Sequence, residues 1–242
     1  MAHLRCDFKS NVLDMNTSMT VILPEDRCIK EANVVYLFHG LSDDSTGWTR
    51  YTNVERYARE LGVVLVIPEV QRSFYTDMKH GLNYFSYVSD ELREICSNFF
   101  SLSTDKKKNH VMGFSMGGYG ALKCALRYPD RYNFCAAFSP ITDIVSTVTE
   151  CIDSNKKEFL AIFDSKSLVD EDLFRLLNEK KERFPSFYIS CGDLDRRINQ
   201  SEKIYSALYS KGIEVKYDHW EGGHDWKFWD ESVSKALHFC FG

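Results

Sequence analysis

The sequence predicts an α/β fold, a mostly parallel sheet of eight strands with helices on both faces, and three observations predict it. Short apolar runs alternate with segments whose apolar residues recur every three or four positions, as in Tyr84, Val88, Leu92, Ile95 and Phe99. That alternation is what parallel strands joined by crossover helices produce. The run Gly113-Phe114-Ser115-Met116-Gly117 follows the apolar His110-Val111-Met112 and opens the small-residue segment Gly118-Tyr119-Gly120-Ala121-Leu122, so a strand, a sharp turn and a helix succeed one another. With 242 residues, 44% of them hydrophobic, the chain can bury one large core, and a single domain over residues 1–242 is expected.

Strands are expected near Arg5–Lys9, Met19–Leu23, Val34–His39, Val63–Pro68, Asn109–Gly113, Phe134–Ser139, Ser186–Cys191 and Ile213–Trp220. Helices are expected over Asn53–Leu61, Tyr84–Phe100, Met116–Tyr128, Gln200–Lys211 and Asp225–Phe239. No helix separates the first two strands, so they should form an antiparallel edge before the strand-helix units begin. Residues 141–183 break the rhythm with polar helical stretches at Asn155–Phe163 and Asp170–Arg183, and read as an insertion over the sheet that caps the site.

Composition excludes several classes. A net charge of −5 leaves no basic stripe for a nucleic acid, and Lys106-Lys107-Lys108 is a short solvated loop before a strand. The eight cysteines lack C-x-x-C spacing, and Cys124, Cys135 and Cys191 lie in apolar segments as reduced core thiols. The N-terminal residues lack the basic and apolar regions of a leader, and no apolar run approaches the roughly 18 residues of a membrane span. A cytoplasmic protein that binds no membrane is expected, and the sequence leaves open whether it forms a homo-oligomer.

The strand-turn-helix context makes Ser115 the candidate nucleophile: its side chain is thrust outward on a strained turn, and residues larger than glycine at 113 and 117 would strike the crossing strand and helix. A glycine-rich helix start would account for the glycines alone. A serine hydroxyl is almost wholly protonated at neutral pH, so it needs a base, and the base needs an orienting acid. Of the downstream histidines, His219 lies in an alternating strand and His238 in a last helical turn, both structural settings. His224 sits in the glycine loop Glu221-Gly222-Gly223-His224-Asp225 just past the final strand, where a side chain can swing over the carboxyl edge of the sheet. After the strand Phe187–Cys191 two aspartates compete for the acid, Asp193 and Asp195. The turn order favours Asp195, nearer the following helix, although either could merely cap backbone amides.

Acyl transfer also needs donors aimed at the oxygen that becomes negative. The Met116 amide is one. The other is the Leu41 amide, where His39-Gly40-Leu41-Ser42 ends an apolar strand abruptly and His39 holds the loop. No second ligand at i+2 or i+4 supports a metal at His39, and no metal or other cofactor is expected. Trp48, Phe74, Tyr75, Trp226 and Trp229 flank these loops. With His39 and Gly40, the aromatics Trp48, Tyr75 and Trp226 are the candidate substrate-binding residues, core packing being the commoner role of any single aromatic.

The segments Val12-Leu13-Asp14-Met15, Leu37-Phe38-His39-Gly40-Leu41-Ser42 with Trp48, Thr52-Asn53-Val54-Glu55-Arg56, Tyr75-Thr76-Asp77, Gly113 to Gly120 and Gly223-His224-Asp225 together resemble the esterase D and tributyrin esterase group of α/β-hydrolases. That group is related to S-formylglutathione hydrolase and to acetyl-xylan and feruloyl esterases. The resemblance spans nearly the whole chain and weakens over residues 141–184. It implies a serine carboxylesterase acting through an acyl-enzyme on a small-molecule ester with a short or aryl acyl group. A thioesterase and a catalytically silent binding module are the alternatives. The group's Cys-Gly-x-x-Asp pattern selects Asp195, but here Arg196-Arg197 follows where relatives often carry Phe-Leu.

Overall fold

The structure, a computed structural model, describes residues 1–25, 28–179 and 183–242. Its strands are β1 (Ala2–Ser10), β2 (Met15–Leu23), β3 (Val34–Phe38), β4 (Val64–Pro68), β5 (Asn109–Phe114), β6 (Phe134–Phe138), β7 (Ser186–Gly192) and β8 (Val215–Trp220). They form one sheet in the order β1-β2-β4-β3-β5-β6-β7-β8. β1 runs antiparallel to β2, and β2 antiparallel to β4. Every other neighbouring pair is parallel. The order doubles back at β3–β4, so the carboxyl ends of β3 and β5 lie side by side, which is where open α/β sheets collect ligands.

Alternate residues of the strands feed opposite cores. Val34, Tyr36 and Phe38 pack on one face, Val35 and Leu37 on the other. The second face is covered by α1 (Gly47–Tyr51), α2 (Val54–Leu61) and α10 (Trp226–Phe241), which contribute Trp48, Val54, Tyr57, Phe228 and Trp229. α2 and α10 are stitched together where Asp230 accepts from the Asn53 amide at 2.8 Å and the Tyr57 hydroxyl at 3.2 Å. The first face carries α3 (Tyr84–Ser86), α4 (Leu92–Phe100), α5 (Met116–Arg127), α6 (Ile144–Ile162), α7 (Ser165–Asp170), α8 (Leu173–Glu179) and α9 (Ile198–Ser210).

The expected helix Tyr84–Phe100 is α3 and α4 joined by a π turn, Tyr87–Glu91. The turn carries the buried Glu91 carboxylate inward, where it accepts from the Ser10 hydroxyl and from the amides of Asn11 (2.6 Å) and Val12 (3.2 Å), tying the β1–β2 hairpin to the body. In the insertion, α6 starts eleven residues before the expected Asn155, at a cap where Asp143 accepts from the Ser146 amide at 2.8 Å. Its first turns are rich in Val, Ser and Thr, weak helix formers that hide a helix from propensity. In place of Asp170–Arg183 stand α7, with a capping box between Asp164 and Ser167, and α8, which ends at Glu179; residues 180–182 of that expectation lie outside the described residues.

Candidate active site

Ser115 occupies the turn between β5 and α5 with φ +52° and ψ −115°, a conformation costing on the order of 1–3 kcal/mol. The turn is locked around it. The Ser115 amide donates to Phe138 O at 2.9 Å, and its carbonyl accepts from Tyr119 (3.1 Å) and Ile141 (3.2 Å) amides. A Cβ on Gly117 would sit 2.5 Å from Phe38 O, and one on Gly113 equally close to the Gly117 carbonyl carbon. These two glycines are therefore demanded by the crossing of β3, β5 and α5.

His224 Nε2 lies 3.0 Å from Ser115 Oγ, and its Nδ1 lies 2.8 Å from Asp195 Oδ2 and 3.1 Å from Oδ1. The structure thus brings Ser115, His224 and Asp195, from three separate loops at the carboxyl edge, into one hydrogen-bonded chain. The acid turn is fixed by backbone bonds from Leu194 to Gly222 O and from Asp195 to Gly192 O, both 3.0 Å. Burial raises the pKa of the Asp195 carboxyl, but the hydrogen bond and charge of His224, the Ser139 hydroxyl and the Arg197 amide (2.8 Å) outweigh it, so the net direction is down. Asp193 points elsewhere. It pairs at the surface with His219 at 2.7 Å, the two side chains 47% and 58% exposed. His238 bonds the Ser234 carbonyl in its own helix at 2.8 Å.

The turn after β3 is gripped carbonyl by carbonyl. Trp48 Nε1–H donates to Phe38 O at 3.1 Å and the Tyr75 hydroxyl to His39 O at 3.0 Å. His39 Nδ1 donates to Gly40 O at 2.8 Å while its Nε2 accepts from the Val70 amide at 3.2 Å, partners that fix the tautomer. In a trans peptide the N–H points opposite the C=O, so holding Gly40 O aims the Leu41 N–H the other way. Met116 opens α5, where the helix dipole favours negative charge.

These contacts revise the substrate-binding expectations. His39, Trp48 and Tyr75 are fully buried, with their polar atoms committed to backbone groups, and Gly40 is buried against Phe114, whose Cζ would lie 2.8 Å from an added Cβ. They hold the loop from behind instead of facing a ligand. Tyr75 is wedged between Phe38, stacked at 4.5 Å, and α5, where Gly120 has no Cβ to strike its ring. Phe74 packs on Phe159 and Phe163 of the insertion, and Trp229 lies edge-on to His224 at 5.0 Å. Only Trp226 of the expected set keeps exposed surface. It lies edge-on to Phe114 at 4.7 Å and beside the exposed Tyr51 at 5.1 Å.

Sequence reasoning passed over Ser139 and noted Arg197 only as a departure from the pattern of the acid turn. Ser139, at φ +46° just past β6, accepts from Trp229 Nε1 at 3.3 Å and bonds Asp195; its signal was a hydroxyl at the carboxyl end of a central strand. Arg197, the departure in the acid turn, is buried and reaches Thr147 of α6 at 3.3 Å, while Arg196 is exposed.

A nucleophile-bearing turn at the carboxyl edge of a mostly parallel sheet, with a histidine and a carboxylate in line behind it, defines a class: serine hydrolases of the α/β-hydrolase fold. Comparison narrows it. The sequence model of the Esterase family matches residues 10–240, and the chain belongs to that family. The protein is 27% identical over 260 residues to an acetyl esterase of Caldicellulosiruptor saccharolyticus, covering 98% of this chain and 97% of that one. Among solved structures it is similar to fluorophosphonate-binding serine hydrolase F of Staphylococcus aureus, with a TM-score of 0.91 and 27% identity over 100% of this chain and 98% of that one. It is also similar to the S-formylglutathione hydrolase of Staphylococcus aureus, with a TM-score of 0.82 and 27% identity over 100% and 99%. The chain is a serine carboxylic ester hydrolase.

Proposed function

We propose that Ser115 is the nucleophile, His224 the general base and Asp195 the orienting acid of a carboxylesterase that acts through an acyl-enzyme. The observation that carries this reading is the unbroken chain from Ser115 Oγ through both nitrogens of His224 to a buried carboxylate. Ser115 Oγ attacks the ester carbonyl carbon as its proton passes to His224 Nε2. The amides of Leu41 and Met116 hold the resulting oxyanion, and the imidazolium then protonates the leaving alcohol. Water repeats the sequence on the acyl-serine, His224 taking its proton, and the carboxylic acid leaves.

The substrate is a small-molecule ester with an acetyl to butyryl or compact aryl acyl group. Similarity to an acetyl esterase supports this. So does the charged sequence of the insertion, residues 141–183, which we read as a cap: Asp143, Asp153, Lys156, Lys157, Asp170, Glu171 and Asp172 interrupt any continuous apolar stretch. Each buried methylene contributes about 0.8 kcal/mol, so a pocket that buries long chains gives kcat/KM rising steeply with acyl length. A p-nitrophenyl ester series should instead peak at two to four carbons and decline by eight. An optimum at ten or more would reject the reading. The likeness to an S-formylglutathione hydrolase makes a thioesterase the second reading, favoured if kcat/KM for S-formylglutathione exceeds every ester by tenfold. Among the described residues no helix is long and apolar enough to cross a membrane. The free cysteines among the described residues, with no disulfide between them, support a cytoplasmic setting.

A further inference from the structure

The fourth carbonyl of the turn after β3 is gripped from outside the sheet. Arg72 Nη1 donates to Leu41 O at 3.4 Å, while its Nε and Nη2 hold both carboxylate oxygens of Glu158 on α6, Nη2 at 3.0 Å. Arg72 stands in a segment already bonded to this turn through Val70 and Tyr75, and its neighbour Gln71 has φ +51°.

We propose that Arg72 is a positioning residue for the oxyanion hole, bridging Leu41 to Glu158 so that the aim of the Leu41 donor depends on how α6 is seated. The inference rests on reading Leu41 N–H as an oxyanion donor. Two peptide planes flank Leu41. His39 fixes the first through Gly40 O; Gly40, lacking a Cβ, restrains it little by itself. Arg72 fixes the second through Leu41 O. A guanidinium held in a two-point grip by a carboxylate has little rotational freedom left, so its remaining N–H groups point in set directions.

α6 in turn is anchored at both ends of the site. Near its start, Gln200 Oε1 accepts from Thr142 (2.7 Å) and Asp143 (3.2 Å) amides and Thr147 meets Arg197 of the acid turn. At its end, the Lys79 and His80 amides donate to Ile162 O (3.0 Å) and Ala161 O (2.8 Å). One helix therefore spans from the acid turn to the donor turn. Arg72 and Glu158 are 45% and 26% exposed, so solvent screens the ion pair and it adds little to folding stability. Its removal should be read in rate.

The test uses Arg72→Gln, Arg72→Lys, Glu158→Gln and the Arg72→Gln/Glu158→Gln pair in the full chain. Readouts are kcat and KM on p-nitrophenyl acetate, the inhibition constant of a trifluoromethyl ketone that forms a tetrahedral adduct, and the thermal midpoint. Arg72→Gln and Glu158→Gln should each lower kcat about tenfold, less than the 10²–10³ for deleting a donor outright, because the amide stays but loses its aim. KM should hold within about twofold, ketone affinity should fall in step with kcat, and the pair should be no worse than the poorer single variant. Arg72→Lys, able to reach Leu41 or Glu158 but not both, should match Arg72→Gln. Unchanged kcat, a loss confined to KM, multiplying losses in the pair, full rescue by lysine, or a kcat loss without loss of ketone affinity would each overturn the bridge. If Ser115→Ala keeps full activity, the underlying reading fails; if that variant is inactive and Arg72→Gln is normal, the bridge alone fails.

Discussion

Replacing Asp195 by asparagine changes one atom, and the surroundings dictate which way the new amide turns. Oδ1 of Asp195 accepts from the Arg197 amide at 2.8 Å, so the carboxamide oxygen must stay on that side. The amide nitrogen is then left where Oδ2 now meets His224 Nδ1 at 2.8 Å. It donates to Nδ1, which drives the ring proton onto Nε2, and a protonated Nε2 cannot take the proton of Ser115 3.0 Å away. Neutralising the equivalent acid in a serine protease lowers kcat about 10⁴-fold, or about 5 kcal/mol of transition-state stabilisation. We expect that magnitude for Asp195→Asn, with KM little changed. Asp193→Asn is the matched control, since it disturbs only an exposed pair with His219 of the kind contributing on the order of 0.2–1 kcal/mol. Steady-state hydrolysis of p-nitrophenyl acetate, with circular dichroism to verify folding, compares the two. Near-normal kcat in Asp195→Asn, or a larger loss in Asp193→Asn, would refute the assignment.

Two further outcomes follow from packing and burial. Gly120→Ala places a Cβ 2.6 Å from Cδ2 of the fully buried Tyr75, whose hydroxyl is committed to His39 O; it should lower stability by about 1–3 kcal/mol and lower kcat with it, and an unchanged thermal midpoint would contradict this. His110 is buried at the sheet's amino-terminal edge beside Phe241, and burial, then the charge of Lys108, lowers its pKa to about 4. Between there and its ordinary value near 6.5 the unfolded chain binds the proton and the folded chain does not, so stability falls as pH drops through that window, by about 3 kcal/mol in total. Urea unfolding of His110→Asn should show a correspondingly shallower pH dependence over pH 4–6.5, and matching slopes in the two proteins would rule the effect out.

All eight strands were legible, the inner ones as short apolar runs and the edge strands β1 and β8 by alternation of apolar and polar residues, and Ser115 and His224 were legible because glycines mark the turns that carry them. The turn order leaned toward Asp195 and the resemblance selected it over Asp193, while the backbone bonds that set which carboxylate faces inward, from Leu194 to Gly222 O and from Asp193 to Trp220 O, join residues that no local pattern links. Trp48 and Tyr75 were seen as part of the site but on the wrong side of it, because aromatic side chains signal burial and binding alike. α1 spans five residues, too few for a period to show. Arg72 and Glu158 lie 86 positions apart, and nothing local to either marks the pair.

The central claim, that Ser115 alone carries the acyl group, is tested most directly by treating the protein with a fluorophosphonate probe and mapping the adduct by peptide mass spectrometry. One adduct on Ser115, absent from Ser115→Ala together with all ester hydrolysis, is the predicted result; no adduct, an adduct on another residue, or turnover surviving in Ser115→Ala would contradict it.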